Sequence, residues 1–228
     1  MIPAVTQHRV SGPASVSLLH FDGANNGTVF TDVYGTNTWS IGAGSPVTET
    51  AQFKFGTAGF AAGGGFIHTT GAPFVLGSSD FTIEVQVFLT SVSTFYGIYA
   101  KRAQSTIAVS ASLNVDTGSS GRIHAGVSNT TVGSAWTVDL FSGTISLNTW
   151  HHVALTRFGT TFTLWLDGVS QQTGTLAGAL SDDGTTPLIG ALSNDNVIPF
   201  VGNLDEFRYS LVARYTSNFT PPVAAFTF

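Results

Sequence analysis

Three glutamates occur in the chain, Glu49, Glu84 and Glu206, and they are far apart in sequence. Glycosidic hydrolysis needs two carboxyl groups, ~5 Å apart for retention or ~6.5 to 9.5 Å for inversion. No strand face offers such a pair: Glu84 is followed on its own face by Gln86, not by a second acid. His151 and His152 follow Trp150 and invite a metal or acid–base reading. Adjacent residues of a strand point to opposite faces, however, so the two imidazoles do not converge on one ion. One is expected to pack or hydrogen-bond beneath Trp150 and the other to face solvent. His20 and His68 are isolated, and no Ser-His-Asp constellation is apparent. The expectation is a protein that is not an enzyme.

Binding remains. Sugar faces stack on aromatic rings, and Trp39, Tyr96, Tyr99 and Trp136 are the candidates for such a platform. Most aromatics of a β-sandwich are core, and packing is the competing reading of each. Asp182-Asp183-Gly184 and Asn194-Asp195-Asn196 are oxygen-rich and could hold a cation or a sugar, although turn chemistry accounts for them as well. Sequons begin at Asn26, Asn129 and Asn218 and carry meaning only on export.

Composition narrows the partners. Only 9% of the 228 residues are charged, against roughly 25% in ordinary soluble domains. Ser, Thr, Asn and Gly therefore make the surface, as on extracellular and particle proteins. Eight basic against 13 acidic residues give a net charge of -5, which disfavours nucleic acid. The absence of cysteine removes disulfides and thiolate metal sites. No apolar run approaches the ~20 residues of a spanning helix, so membrane insertion is not expected, and Met1 to Ser15 does not read as a signal peptide.

The elements that must position these residues are strands. Phe81, Ile83, Val85, Val87 and Leu89 alternate with Thr82, Glu84, Gln86 and Phe88, which gives one core face and an opposite face that is covered or lines a groove. Trp150 to Gly174 reads as a three-stranded meander, with Asp167-Gly168 as the tight hairpin turn. Shorter runs are Val16 to Phe21, Gln52 to Phe55, Phe66 to Thr69, Gly97 to Lys101, Ile107 to Leu113, Arg122 to Val127, Ala135 to Phe141, Pro187 to Ile189 and Gly202 to Tyr209. So many short strands predict two packed antiparallel sheets in one domain over residues 15–228. Residues 1–14, with Pro3 and Pro13, read as an N-terminal arm, and the apolar tail at 211–228 is expected to dock on the domain or on a partner.

Four stretches carry a resemblance. Leu18-Leu19-His20-Phe21-Asp22-Gly23, Asp80 to Val85, Trp150 to Leu155 leading to Leu166-Asp167-Gly168, and Gly202-Asn203-Leu204-Asp205-Glu206-Phe207-Arg208 occur in the order seen in the concanavalin A-like, laminin-G-like superfamily. The chain resembles in particular the versions found in bacteriophage structural proteins, because Ala213 to Pro222 is similar to a stretch that follows their last strand. The resemblance implies an all-β, two-sheet antiparallel jelly-roll sandwich. Laminarinase-type relatives carry a Glu-x-Asp-x-x-Glu pattern, and this chain lacks it. Many relatives hold a structural calcium, and by resemblance Asp22 and Asp205 fall at its ligand positions; the other reading makes Asp22 a turn former and pairs Asp205 with Arg208.

These features lead to an expected virion structural protein, a capsid decoration protein, head fibre or tail-associated adhesin on the extracellular virion surface. Other virion proteins would be its partners, as a homo-oligomer, trimer or dimer, with a cell-surface glycan as a further partner. The alternative is a carbohydrate-binding, lectin-like module, and a glycoside hydrolase is the weakest reading.

Overall fold

The computed structural model describes residues 15–34, 37–69, 74–93, 95–102, 110–116, 121–133, 135–195 and 198–227. The expected arm at 1–14, and residues 107–109 and 196, lie outside them. Sixteen strands and no helix are found among the described residues. In chain order they are β1 (Ser15–Leu19), β2 (Phe30–Thr31), β3 (Thr38–Ala43), β4 (Val47–Glu49), β5 (Gly59–Ala61), β6 (Phe66–Thr69), β7 (Phe81–Leu89) and β8 (Tyr96–Ala100). There follow β9 (Ser110–Asp116), β10 (Arg122–Ser128), β11 (Val138–Thr144), β12 (Trp150–Phe158), β13 (Thr161–Leu166), β14 (Val169–Thr175), β15 (Leu188–Ile189) and β16 (Gly202–Ser210).

Two antiparallel sheets result, and the chain is an all-β jelly-roll sandwich. The first runs β14-β13-β12-β7-β16-β5-β4, with β1 beside β16; the second runs β11-β10-β9-β8-β15-β6-β3-β2. The alternation in β7 places Phe81, Ile83, Val85, Val87 and Leu89 in the core without exposed surface. From the other sheet, Ile98, Leu113, Val115, Ile123 and Val127 meet them in the same cluster. The hairpin at Asp167 (φ 50°) and Gly168 (φ 75°) has the two left-handed residues of a type I′ turn.

The other side of β7 is covered too. Residues 211–227 cross the outer face of the first sheet, where Tyr215 and Phe219 stack at 3.6 Å and present their rings edge-on to His152. Phe226 sits over the Arg208 guanidinium at 4.5 Å, and the Phe219 amide donates to the Gly168 carbonyl at 2.9 Å. The turn must be glycine there, because a Cβ on Gly168 would lie 2.0 Å from the Phe219 carbonyl oxygen.

Two expected features differ. Gln52 to Phe55 alternates like a strand but forms a loop, because its amides bond to Asp205 and not to a neighbouring strand. Four strands, β2 to β5, arise where the sequence offers only short, Gly-interrupted runs, and they pair through long-range register.

Candidate functional site

With the outer face of the first sheet under the tail, the outer face of the second carries the candidate site. Ala111, Leu113 and Val115 of β9 and Ile123, Ala125 and Val127 of β10 enter the core. Their alternates, Ser112, Asn114 and Asp116 on β9 and Arg122, His124 and Gly126 on β10, therefore turn away from it. Pairing sets Gly126 between Ser112 and Asp139, and His124 between Asn114 and Phe141.

Gly126 determines what lies on this face. A Cβ built there would be 2.2, 2.5 and 2.6 Å from Cδ2, Cε2 and Cγ of Trp136. Those atoms lie at the middle of the indole, so the ring rests flat on the bare backbone of β10. Its opposite face turns away from the sheet, and the residue is half-buried.

Around the indole the charges of the described residues are paired with one exception. Asp116 meets Arg122 at 2.8 Å, and Arg122 lies over the Phe141 ring at 3.7 Å. His124 bonds Asn114 through Nδ1 at 2.8 Å and Asp139 through Nε2. Burial lowers the His124 pKa, against the pull of Asp139. Arg102 lies with its guanidinium 5.3 Å from the indole centroid, only 6% exposed, and donates from Nε to the Leu192 carbonyl at 3.1 Å. Burial pulls its pKa down to about 10, while Asp195 pulls the other way. The segment holding Leu192 lies directly on β8, since a Cβ on Gly97 would be 1.9 Å from the Ala191 carbonyl carbon.

Of the four aromatic candidates, Trp136 alone can offer a ring face. Trp39 is 5% exposed, lies edge-on to Phe74 and Phe207, and gives its Nε1 hydrogen to Ser17. Tyr96 is 2% exposed, with its hydroxyl bonded to Ser93, and Tyr99 is fully buried against Phe207. Trp39, Tyr96 and Tyr99 are core residues, because their strands turn them between the sheets. Sequence reasoning missed Arg102 and Gly126. The signal for Gly126 was its place in the alternation Arg122, His124, Gly126; nothing in the sequence brings Arg102 to Trp136.

Asp22 and Asp205 both face the 54–58 loop. Asp205 Oδ2 accepts from the Lys54 and Phe55 amides at 2.7 and 3.0 Å, and Oδ1 from the Glu206 amide at 2.9 Å. Asp22 Oδ1 accepts from the Thr57 amide, the Thr57 hydroxyl at 3.0 Å and the Ala58 amide at 3.3 Å. Gly56, with φ 69°, is required, since its Cβ would approach the Asp22 carboxylate to 2.2 Å. Calcium requires six to eight oxygen ligands. The groups aimed at these carboxylates are hydrogen donors, and no cluster of three or more His, Cys, Asp or Glu that could hold a metal occurs among the described residues. In this arrangement the two carboxylates clasp the 54–58 loop. Asp205 does not pair with Arg208, whose partner is Glu84. Burial drives the Asp205 pKa up to about 7 despite its amide bonds.

Glu84 and the histidine pair are structural. Arg208, the Tyr215 hydroxyl at 2.7 Å and His152 Nε2 at 3.1 Å surround the Glu84 carboxylate, which has no exposed surface. His152 thus lies under the tail, while His151 bonds Ser146 and Asp167.

The sandwich and its order of motifs define a concanavalin A-like jelly-roll domain. The chain belongs to the concanavalin A-like lectin/glucanases superfamily, whose family model matches residues 61–214. No curated protein matches the sequence. Among solved structures, the ligand-binding domain of botulinum neurotoxin serotype D in complex with N-acetylneuraminic acid aligns with TM-score 0.61 and 14% identity, over 88% of this chain and 48% of that one. The binding domain of Paraclostridial Mosquitocidal Protein 1 aligns with TM-score 0.63 and 12% identity, over 88% and 49%. Domain 4 of AbnA, a GH43 extracellular arabinanase from Geobacillus stearothermophilus in complex with arabinotriose, aligns with TM-score 0.59 and 16% identity, over 87% and 93%. The chain spans about half the length of the first two. At these identities the likeness is one of fold.

Proposed function

We propose that this domain is a non-catalytic, lectin-like module that binds a glycan on the outer face of β9, β10 and β11. The observation that carries the reading is the half-buried Trp136 indole laid flat on Gly126, with the Arg102 guanidinium over the ring at 5.3 Å from its centroid. Such a ring stacks on the apolar face of a pyranose. Phe141 is held between Arg122 and His124 and offers no comparable face, so Trp136 is a single platform that takes one sugar ring. A domain of the same fold in complex with arabinotriose, matched over 93% of its length, supports the class. The buried Glu84, closed in by Arg208, His152 and Tyr215, supports the absence of glycosidase chemistry.

A glycan array followed by titration tests the reading. Trp136→Ala is expected to abolish binding, while Tyr99→Phe, a change inside the core, leaves it intact. Binding that survives the loss of the indole would remove the site.

A place on a virion surface rests on the sequence, through the low charge of the chain and the resemblance. The stretch 213–222, one ground for that expectation, packs on the domain's own sheet and needs no neighbouring subunit to cover its rings. Mass spectrometry of purified particles decides it: absence of the protein from them removes the virion reading and leaves the glycan reading untouched.

A further inference from the structure

Among the described residues, Arg102 is the cation on this face without a carboxylate partner. Asp116 is bound to Arg122 and Asp139 to His124, whereas no carboxylate comes within 4.0 Å of Arg102 among the described residues. Asp195 acts on it only at longer range, and its carboxylate accepts the Ser193 hydroxyl at 2.8 Å. Arg102 is also fixed in place. Nε is tied to the Leu192 carbonyl, and the guanidinium lies over the indole ring, so its terminal amino groups are held at the platform with no acceptor among the described residues.

A buried, pre-positioned guanidinium without a counter-ion suits a planar anion that accepts two parallel hydrogen bonds. Next to a sugar-stacking ring, that anion is the carboxylate of the sugar itself. We infer that Arg102 and Trp136 form the subsite for a carboxylate-bearing sugar, a sialic or uronic acid, whose ring stacks on the indole while its carboxylate pairs with Arg102. This rests on the glycan-binding reading above and narrows it to one ligand class. Desolvation, which weakens the hold of Arg102 on its proton, is offset when the anion arrives, so the ligand relieves a cost already present in the free protein.

The test is an array spanning sialylated, uronic and neutral glycans, followed by titration of 3′-sialyllactose and trigalacturonate, each against the carboxamide made from it. The expected result is binding of at least one acid, with its carboxamide weaker by roughly tenfold or more, the scale of a charge-assisted hydrogen bond. Arg102→Gln is expected to bring the acid down to the level of the amide, and Arg102→Lys, which keeps the charge but loses the fork, to fall between. Thermal unfolding of both variants identifies any loss that comes from misfolding, and a folded Arg102→Lys then carries the comparison. Trp136-dependent binding of neutral glycans alone would overturn the acidic assignment and leave the lectin reading standing. Acid binding that is unchanged in Arg102→Gln would overturn it as well. An array with no Trp136-dependent signal would overturn both.

Discussion

Arg208 and Glu84 face each other across β16 and β7, and the guanidinium holds one carboxylate oxygen with Nε at 2.8 Å and Nη2 at 2.7 Å. Burial alone would push the Glu84 pKa up, but Arg208, His152 and Tyr215 outweigh it and hold the value at about 2. A carboxyl group that is more acidic folded than unfolded contributes stability that is complete above its ordinary pKa and is lost as pH falls toward the folded value. Urea unfolding followed from pH 6 to pH 2 is therefore expected to show Glu84 adding to acid destabilisation. Glu84→Gln is expected to lose about 3 to 5 kcal/mol at neutral pH, because it leaves the Arg208 charge buried without its counter-ion. A Glu84→Gln variant as stable as the parent would show that the ion pair is not what ties the tail to the sheet.

Asp205 is expected to act in the opposite sense. Its pKa is raised from 3.8 to about 7, so between those values the unfolded chain loses the proton before the folded one does, and stability falls as pH rises through that window. Asp205→Asn keeps an acceptor oxygen for the loop amides and removes the titration; it is expected to flatten the slope between pH 4 and pH 7. Calcium is expected to leave the parent Tm unchanged, since an ion that bound only the folded state would raise it. A calcium-dependent rise in Tm, abolished by Asp205→Asn, would show that the loop amides give way to a metal shell.

The strands that fixed this architecture were legible where one residue pattern sufficed. The five alternating core residues of β7 and the Asp167-Gly168 turn appear in the structure with the expected bounds and conformation. The sequence was silent where contact depends on register between distant strands. Thr38-Trp39-Ser40-Ile41-Gly42-Ala43 has no strong alternation of its own and becomes β3 because β6 pairs with it. The same holds for the site: Trp39 and Trp136 are alike as letters, and what separates them is a neighbouring strand. Trp39 is enclosed by Phe74 and Phe207, while Trp136 rests on the residue of β10 that lacks a side chain.

The edge of the second sheet is closed by side chains from the first. Gln172 Oε1 accepts the Phe141 amide at 2.8 Å and Gln171 Oε1 the Gly143 amide at 3.0 Å, so these two amides of β11 are occupied. An open row of edge amides is a template for another strand. The double variant Gln171→Ala, Gln172→Ala is expected to lose only about 1 to 3 kcal/mol and yet to self-associate, read as a concentration-dependent rise in light scattering. A variant that remains monomeric would show that the glutamines stabilise without shielding.

Gly126 offers the sharpest separation of platform from fold. Only its Cα hydrogens fit beneath the indole, and a methyl there would lie within 2.6 Å of three ring atoms. Because Trp136 is half-buried and precedes β11, the ring can swing outward without disturbing the core residues on the inner face of β10. Gly126→Ala is therefore expected to fold with a Tm close to that of the parent, to raise the exposure of Trp136 in fluorescence quenching, and to bind glycan as poorly as Trp136→Ala. Undiminished binding with a displaced indole would mean that the sugar does not stack on this ring, and the outer face of β10 would cease to be the site.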